Sequence, residues 1–162
     1  MNRSFLLAIV CSWAALLAGC KSPPVKVDRA ADPRDYKWVG LDGTATISGD
    51  VGGDVKTVAG LPVYLDALTL YSADAFKALV EHGPFEAQKE SDTIVFDPVM
   101  LKSRRRVVAD SSGHFRFEKV GAGDYFVSCY VRWLKPNGWY EGYWKAKRIR
   151  VRDGQTAINC SL

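Results

Sequence analysis

From His114 onward the chain alternates apolar and polar residues with a period of two. Phe115 and Phe117 fall between His114, Arg116 and Glu118, and Tyr125, Val127, Cys129, Val131 and Trp133 share one parity. Successive side chains of a strand point to opposite faces, so each run predicts a β-strand with one buried face. Gly121 and Gly123 permit a tight reversal between the two runs, and Asp110-Ser-Ser-Gly113 supplies an aspartate to cap its own turn. Val63, Leu65 and Ala67 alternate against Tyr64 and Asp66, predicting a strand over 61–70. Further strands are predicted over 44–51, 103–109, 145–152 and 156–162. Pro136-Asn-Gly138 signals a turn, so Trp133 to Trp144 reads as a long hairpin tip. The period changes once. Ser72 can cap a helix over 73–81 with Phe76, Leu79 and Val80 on one side and Gly83-Pro84 as its stop, and 72–97 reads as an insertion.

Asp110, Gly113, Phe115, Phe117, Val120, Ala122-Gly123 and Tyr125 together form a pattern that resembles the carboxypeptidase regulatory-like modules. Ile47-Ser-Gly-Asp-Val51 followed by Gly60-Leu-Pro-Val-Tyr-Leu65 is similar to the opening of the same family. The resemblance implies an all-β fold: a transthyretin/prealbumin-like antiparallel β-sandwich of about seven strands, here with one short inserted helix, spanning 41–162. These are patterns of fold rather than of chemistry.

At the other end, Met1-Asn-Arg3 is a short positive segment and 5–17 an apolar core, too short for a comfortable membrane span, which needs about 20 residues. It reads as an export signal over 1–19. Leu17-Ala-Gly-Cys20 resembles a bacterial lipobox, which implies cleavage before Cys20 and acylation of that residue; a plain signal peptide with an incidental cysteine is the alternative. Two or three acyl chains would hold the mature protein stably, since one chain anchors only marginally. Lys21 rather than aspartate follows the lipidated position, which by resemblance to lipoprotein sorting favours the outer membrane, facing the periplasm. The proline-bearing, charged segment 20–40 then reads as a tether, reaching some tens of ångströms at about 3 Å per residue.

An exported location changes the reading of the four cysteines. Cys11 leaves with the signal and Cys20 carries lipid, so Cys129 and Cys160 remain, both at apolar parity on separate strands. In an oxidising compartment they are expected to pair as a disulfide, two buried thiols being the alternative. Neither His82 nor His114 sits at a ligand spacing from them, so no metal and no cofactor is expected. The lipid anchor and export signal exclude nucleic acid as a partner.

Binding candidates concentrate at the hairpin. Trp133, Trp139, Tyr140, Tyr143 and Trp144 include three of the five tryptophans of the chain. Exposed aromatic clusters mark sugar, protein or membrane contacts; the alternative is a structural cap over the open end of the sandwich. Arg148 and Arg150 share a strand face with Arg152 and could meet an anionic partner, or simply form a solvated face. Ser111, Ser112 and His114 are explained by turn and strand chemistry, and the chain ends Asn159-Cys-Ser-Leu162 rather than in the Tyr-Arg-Gly-Ser tail of hydroxyisourate hydrolases, which resemble the same fold. The expectation is therefore not an enzyme but a membrane-anchored binding or scaffolding module with an envelope protein or glycan as partner. The second reading is an accessory lipoprotein of a multiprotein envelope machine such as a secretion system.

Overall fold

The computed structural model describes residues 24–39, 43–52, 59–83, 85–87 and 94–162. The signal segment and Cys20 lie outside them. No helix among the described residues is long and apolar enough to cross a membrane.

Among the described residues the strands run β1 (Ala45–Asp50), β2 (Pro62–Ala67), β3 (Phe85–Ala87), β4 (Arg105–Val108), β5 (His114–Val120), β6 (Gly123–Leu134), β7 (Tyr140–Val151) and β8 (Ala157–Asn159). They form two sheets, one ordered β5-β1-β8 and the other β3-β7-β6-β2-β4. β1 and β8 pair in parallel, and the other pairings between these strands are antiparallel. The all-β sandwich expected from the period-two runs is the observed fold.

Two apolar layers hold it together. Ile47, Phe115 and Phe117 from the smaller sheet meet Val63, Leu65, Val127, Cys129 and Val131 from the larger one. On the other side of the larger sheet, Tyr64, Ala67, Tyr130 and Trp144 meet a helical layer. As a result β2 is buried along its whole length.

The helical layer consists of α1 (Leu70–His82) and α2 (Pro98–Ser103), so the inserted helix has a second, shorter companion. Thr69, not Ser72, caps α1: its hydroxyl accepts from the Ser72 amide at 3.1 Å while Ser72 Oγ accepts from the Thr69 amide at 2.8 Å. Ser72 instead occupies the third helical position of this capping box, and its hydroxyl donates to the Ala67 carbonyl at 2.7 Å. Tyr71, Ala75, Phe76 and Leu79 recur at helical spacing and face the sheet. For α2, Asp97 caps the amide of Val99 at 2.8 Å and Pro98 opens the first turn.

A buried ion pair joins this layer to the sheet. Arg104, at the end of α2, donates twice to Asp66 on β2, at 2.8 and 3.0 Å, with side chains 9% and 0% exposed. The guanidinium lies between two rings, 4.5 Å from the centroid of Tyr64 and 4.2 Å from that of Phe96.

The segment expected to be a tether is packed from Pro24 onward. Val25 bridges Ile94, Arg29 pairs with Asp74 at 2.9 Å, and the amide of Ala31 donates to Asp97 at 3.2 Å. Pro33–Tyr36 forms a single 3-10 turn capped by Asp32, whose carboxyl is lowered to about 2 by the hydrogen bonds from Arg34. The buried Tyr36 hydroxyl meets Thr69 Oγ1 at 3.0 Å, and Trp38 packs edge-on against Tyr125 at 5.2 Å. Two aromatic rings, sunk beside the sheet, offset the ordering of an otherwise polar stretch.

Candidate functional site

The hairpin joining β6 to β7 is tighter than the sequence suggested. Both strands are 12 residues long, and only 135–139 turn between them. Lys135 donates its amide to the Trp139 carbonyl at 2.8 Å, Gly138 to the Lys135 carbonyl at 3.0 Å, and Trp139 to the Asn137 side chain at 3.1 Å. Pairing continues through Leu134 and Tyr140, so the aromatic residues sit on a regular ladder and alternate between its faces.

That alternation divides the five rings. Trp144 lies opposite Tyr130 on the helical side and is 5% exposed. Its indole meets Tyr130 at 5.6 Å, Phe96 at 5.9 Å, Tyr64 at 6.1 Å and Phe76 at 6.4 Å. It is thus a core residue rather than a surface contact, because the short turn starts β7 at Tyr140 and places Trp144 four residues inside the strand. Tyr140, half-buried on the same face, carries the Arg132 guanidinium 4.8 Å from its ring centroid. Trp139 is a half-buried member of the turn.

Trp133 and Tyr143 take the opposite face, toward the smaller sheet, and their rings meet edge-on at 6.3 Å. Tyr143 packs on the rim of the inter-sheet core, while Trp133 is 41% exposed. Glu141 is the cross-strand partner of Trp133, and its carboxylate is 3.8 Å from Lys135 Nζ. Lys145, the partner of Cys129, donates from Nζ to the carbonyls of Gly52 and Leu162. Trp133 lies four residues farther along β6 than Cys129, about 13 Å at strand rise. Among the described residues the larger sheet therefore extends past the smaller one and presents an aromatic ledge, with an acid and a base beside it.

The basic run divides in the same way. Lys145 and Lys147 face the smaller sheet, Lys147 reaching the Ser161 carbonyl at 3.3 Å, so both secure the C-terminal segment. Arg148 and Arg150 share the other face, where they converge on Asp124: Arg150 donates twice, at 2.8 and 3.0 Å, and Arg148 stands 3.7 Å away. The Arg150 guanidinium lowers the Asp124 carboxyl below the usual range. A charge already matched this way attracts an anion less than the sequence run suggests.

A second recess, of about 600 Å³, lies where β4 approaches the outer side of the smaller sheet; Ser48, Asp50, Asp110, His114, Arg116 and Asn159 line it. Its charges are engaged locally. Asp110 accepts from the amides of Ser112 and His114, which lowers its carboxyl, and stands 3.6 Å from the His114 ring. Arg116 pairs with Glu118 at 2.9 Å, and Asp50 accepts from Ser161 at 3.0 Å. Among the described residues no group of three or more histidine, cysteine or acidic side chains is gathered for a metal.

Cys129 and Cys160 are both fully buried in the inter-sheet core, but the disulfide expected between them is not formed. One belongs to the larger sheet and the other follows β8 of the smaller. Shared parity across a sandwich brings two cysteines into one core, but a bridge also needs their Cβ atoms within about 4.5 Å, which parity does not specify.

No family model and no curated protein matches the chain. Among solved structures, a proposed carbohydrate-binding protein from Pseudomonas aeruginosa superposes with a TM-score of 0.59 at 22% identity, over 83% of this chain and 99% of that one. Identity at that level speaks to the fold alone. A 9R-lipoxygenase from Cyanothece aligns with 95% of this chain and 19% of its own length at 9% identity, and its TM-score of 0.29 carries no argument.

Proposed function

We propose that this protein is a lipid-anchored, non-catalytic binding module of a bacterial cell envelope, held at the outer membrane through Cys20 and facing the periplasm, and that its hairpin ledge captures a glycan. The sandwich would be a carboxypeptidase regulatory-like module, on the sequence pattern that runs from Asp110 to Tyr125. The observation carrying the ligand class is Trp133, a large ring left 41% exposed on a rigid strand rather than on a loop. The apolar face of a sugar stacks on such a ring, while Glu141 and Lys135 stand close enough to engage its hydroxyls. The carbohydrate binding proposed for the Pseudomonas neighbour of the same fold agrees with that chemistry.

Retention on intact peptidoglycan and on a panel of insoluble polysaccharides tests it. Trp133→Ala should lower retention tenfold or more, the effect of losing a central aromatic anchor worth about 2 kcal/mol. Its cost to stability should stay near 1 kcal/mol, the size of one edge-on ring contact. Trp144→Ala is the contrast: deleting a buried tryptophan costs about 3–5 kcal/mol. Unchanged retention of the Trp133→Ala variant would overturn the glycan reading.

The second reading, an accessory lipoprotein of an envelope machine, draws on Leu134, exposed beside Arg132 and Tyr140 on the other face of the hairpin. Recovery of a stoichiometric membrane complex after mild crosslinking, lost on Leu134→Asp but not on Trp133→Ala, would favour it.

A further inference from the structure

The geometry points to a defined orientation on the membrane: the helical layer lies directly against the lipid surface, and the outer side of the smaller sheet is turned away from it. This rests on the acylation of Cys20 proposed above. Only Lys21, Ser22 and Pro23 separate that cysteine from Pro24, the first described residue. Four residue steps span at most about 14 Å even when fully extended. The chain is already held at Val25, which bridges Ile94 and whose carbonyl accepts from the Val95 amide at 3.4 Å. A freely swinging domain would need the long tether that the packing of 24–39 removes.

The side held closest is the helical layer. Val25 and Val27 pack against its apolar cluster, Arg29 is fixed to Asp74 of α1, and Ala31 is fixed to Asp97 at the start of α2. This layer also exposes Leu70, Val80, Val95 and Leu101, four of the large hydrophobic side chains left in solvent among the described residues. Lys26 and Lys102, exposed beside Val25 and Leu101, suit the anionic headgroups into which those side chains would settle. The smaller sheet is the third layer counted from the anchor. Its outer recess, with Ser48, His114 and Asn159, therefore stands beyond the larger sheet by at least one sheet spacing of about 10 Å.

The test uses the full mature chain with its acyl groups, reconstituted in phosphatidylethanolamine and phosphatidylglycerol vesicles carrying nitroxide-headgroup lipids. A fluorophore is placed on Val95→Cys or, on the far sheet, on Ala157→Cys; the native Cys129 and Cys160 are buried. Quenching should be at least threefold stronger at position 95 than at 157. Inserting twelve glycine and serine residues between Pro23 and Pro24 should bring the two probes toward equal quenching. Equal quenching in an acylated chain without the insertion overturns the orientation and leaves the anchor standing. An amino terminus that mass spectrometry shows to lack acyl chains overturns both.

Discussion

Removing Arg104 should destabilise the domain more than removing any exposed ion pair. Among the described residues the Arg104 guanidinium is the charge that pairs with Asp66, and the Asp66 side chain has no solvent exposure. Breaking a buried pair by deleting one partner costs about 3–5 kcal/mol, because the remaining charge is left unsolvated. Domains of this kind are stable by only about 5–15 kcal/mol, so the Arg104→Ala variant should lose about a fifth or more of its stability at pH 7. The pH dependence gives the argument its sign. Burial pushes the Asp66 carboxyl above its ordinary value, and Arg104 opposes that shift through charge and hydrogen bonds. Without Arg104 the folded value rises further above the unfolded one. A carboxyl raised on folding contributes stability that is present below the unfolded value and lost as pH rises through the folded value. The deficit of Arg104→Ala should therefore shrink as pH falls from 7 toward about 4. Replacing both partners by apolar groups, Asp66→Leu with Arg104→Met, should recover most of the loss, because a methionine can occupy the space between the Tyr64 and Phe96 rings. Urea unfolding at pH 5 and 7 measures all of this. A cost for Arg104→Ala below about 1 kcal/mol, or one independent of pH, would refute the reasoning.

Two further outcomes follow from packing. Gly123 has φ 155, and a Cβ there would lie 2.2 Å from Cζ3 of Trp38, so Gly123→Ala should displace the indole, cost about 1–3 kcal/mol by overpacking, and speed proteolysis between 24 and 39. Unchanged Trp38 fluorescence and cleavage would count against the docking of that segment. Cys129 and Cys160 should resist thiol reagents in the folded protein, because both are buried and burial pushes the Cys160 thiol up, and should titrate as two thiols on unfolding. Loss of both thiols from the unfolded, unreduced chain would show a bridge instead.

The strands were legible where one face is buried and the other wet. β5 alternates cleanly because His114, Arg116 and Glu118 face solvent while Phe115 and Phe117 enter the core, whereas β6 also buries Ser128 and Tyr130 on its second face. β2 is legible only in part, since a strand covered on both sides shows no contrast: Tyr64 and Asp66, which alternation places outward, are buried under the helical layer. α2 has six residues and too few turns to show a period, although Asp97-Pro98 marks its start. The hairpin was misjudged at Gly142, which looked like part of a loop. In the structure a Cβ at Gly142 would lie 2.9 Å from Cζ of Tyr130, so the glycine belongs to the strand and lets that ring cross it. Carrying the ladder through Gly142 assigns opposite faces to Trp133 and Trp144, and with them the separation of ledge from core.

The N-terminal segment shows why composition failed where packing succeeded. Residues 24–39 contain Lys26, Asp28, Arg29, Asp32, Arg34, Asp35 and Lys37, a content that argues for a solvated chain. Yet Arg34 pairs with its neighbour Asp32, Arg29 reaches Asp74 of α1, and Tyr36 and Trp38 join the apolar cluster of the domain. The Tyr36 site depends on Thr69, which also caps α1, and the Trp38 site depends on the absent side chain at Gly123. The segment cannot hold itself in place and is held by what it covers. A composition rule counts only what a stretch can bury within itself, so it misjudges a stretch whose partners lie 33 and 85 residues further along the chain, at Thr69 and Gly123. On the proposed acylation of Cys20, releasing this segment as a whole, from Val25 to Trp38, would lengthen the tether and free the domain from its orientation.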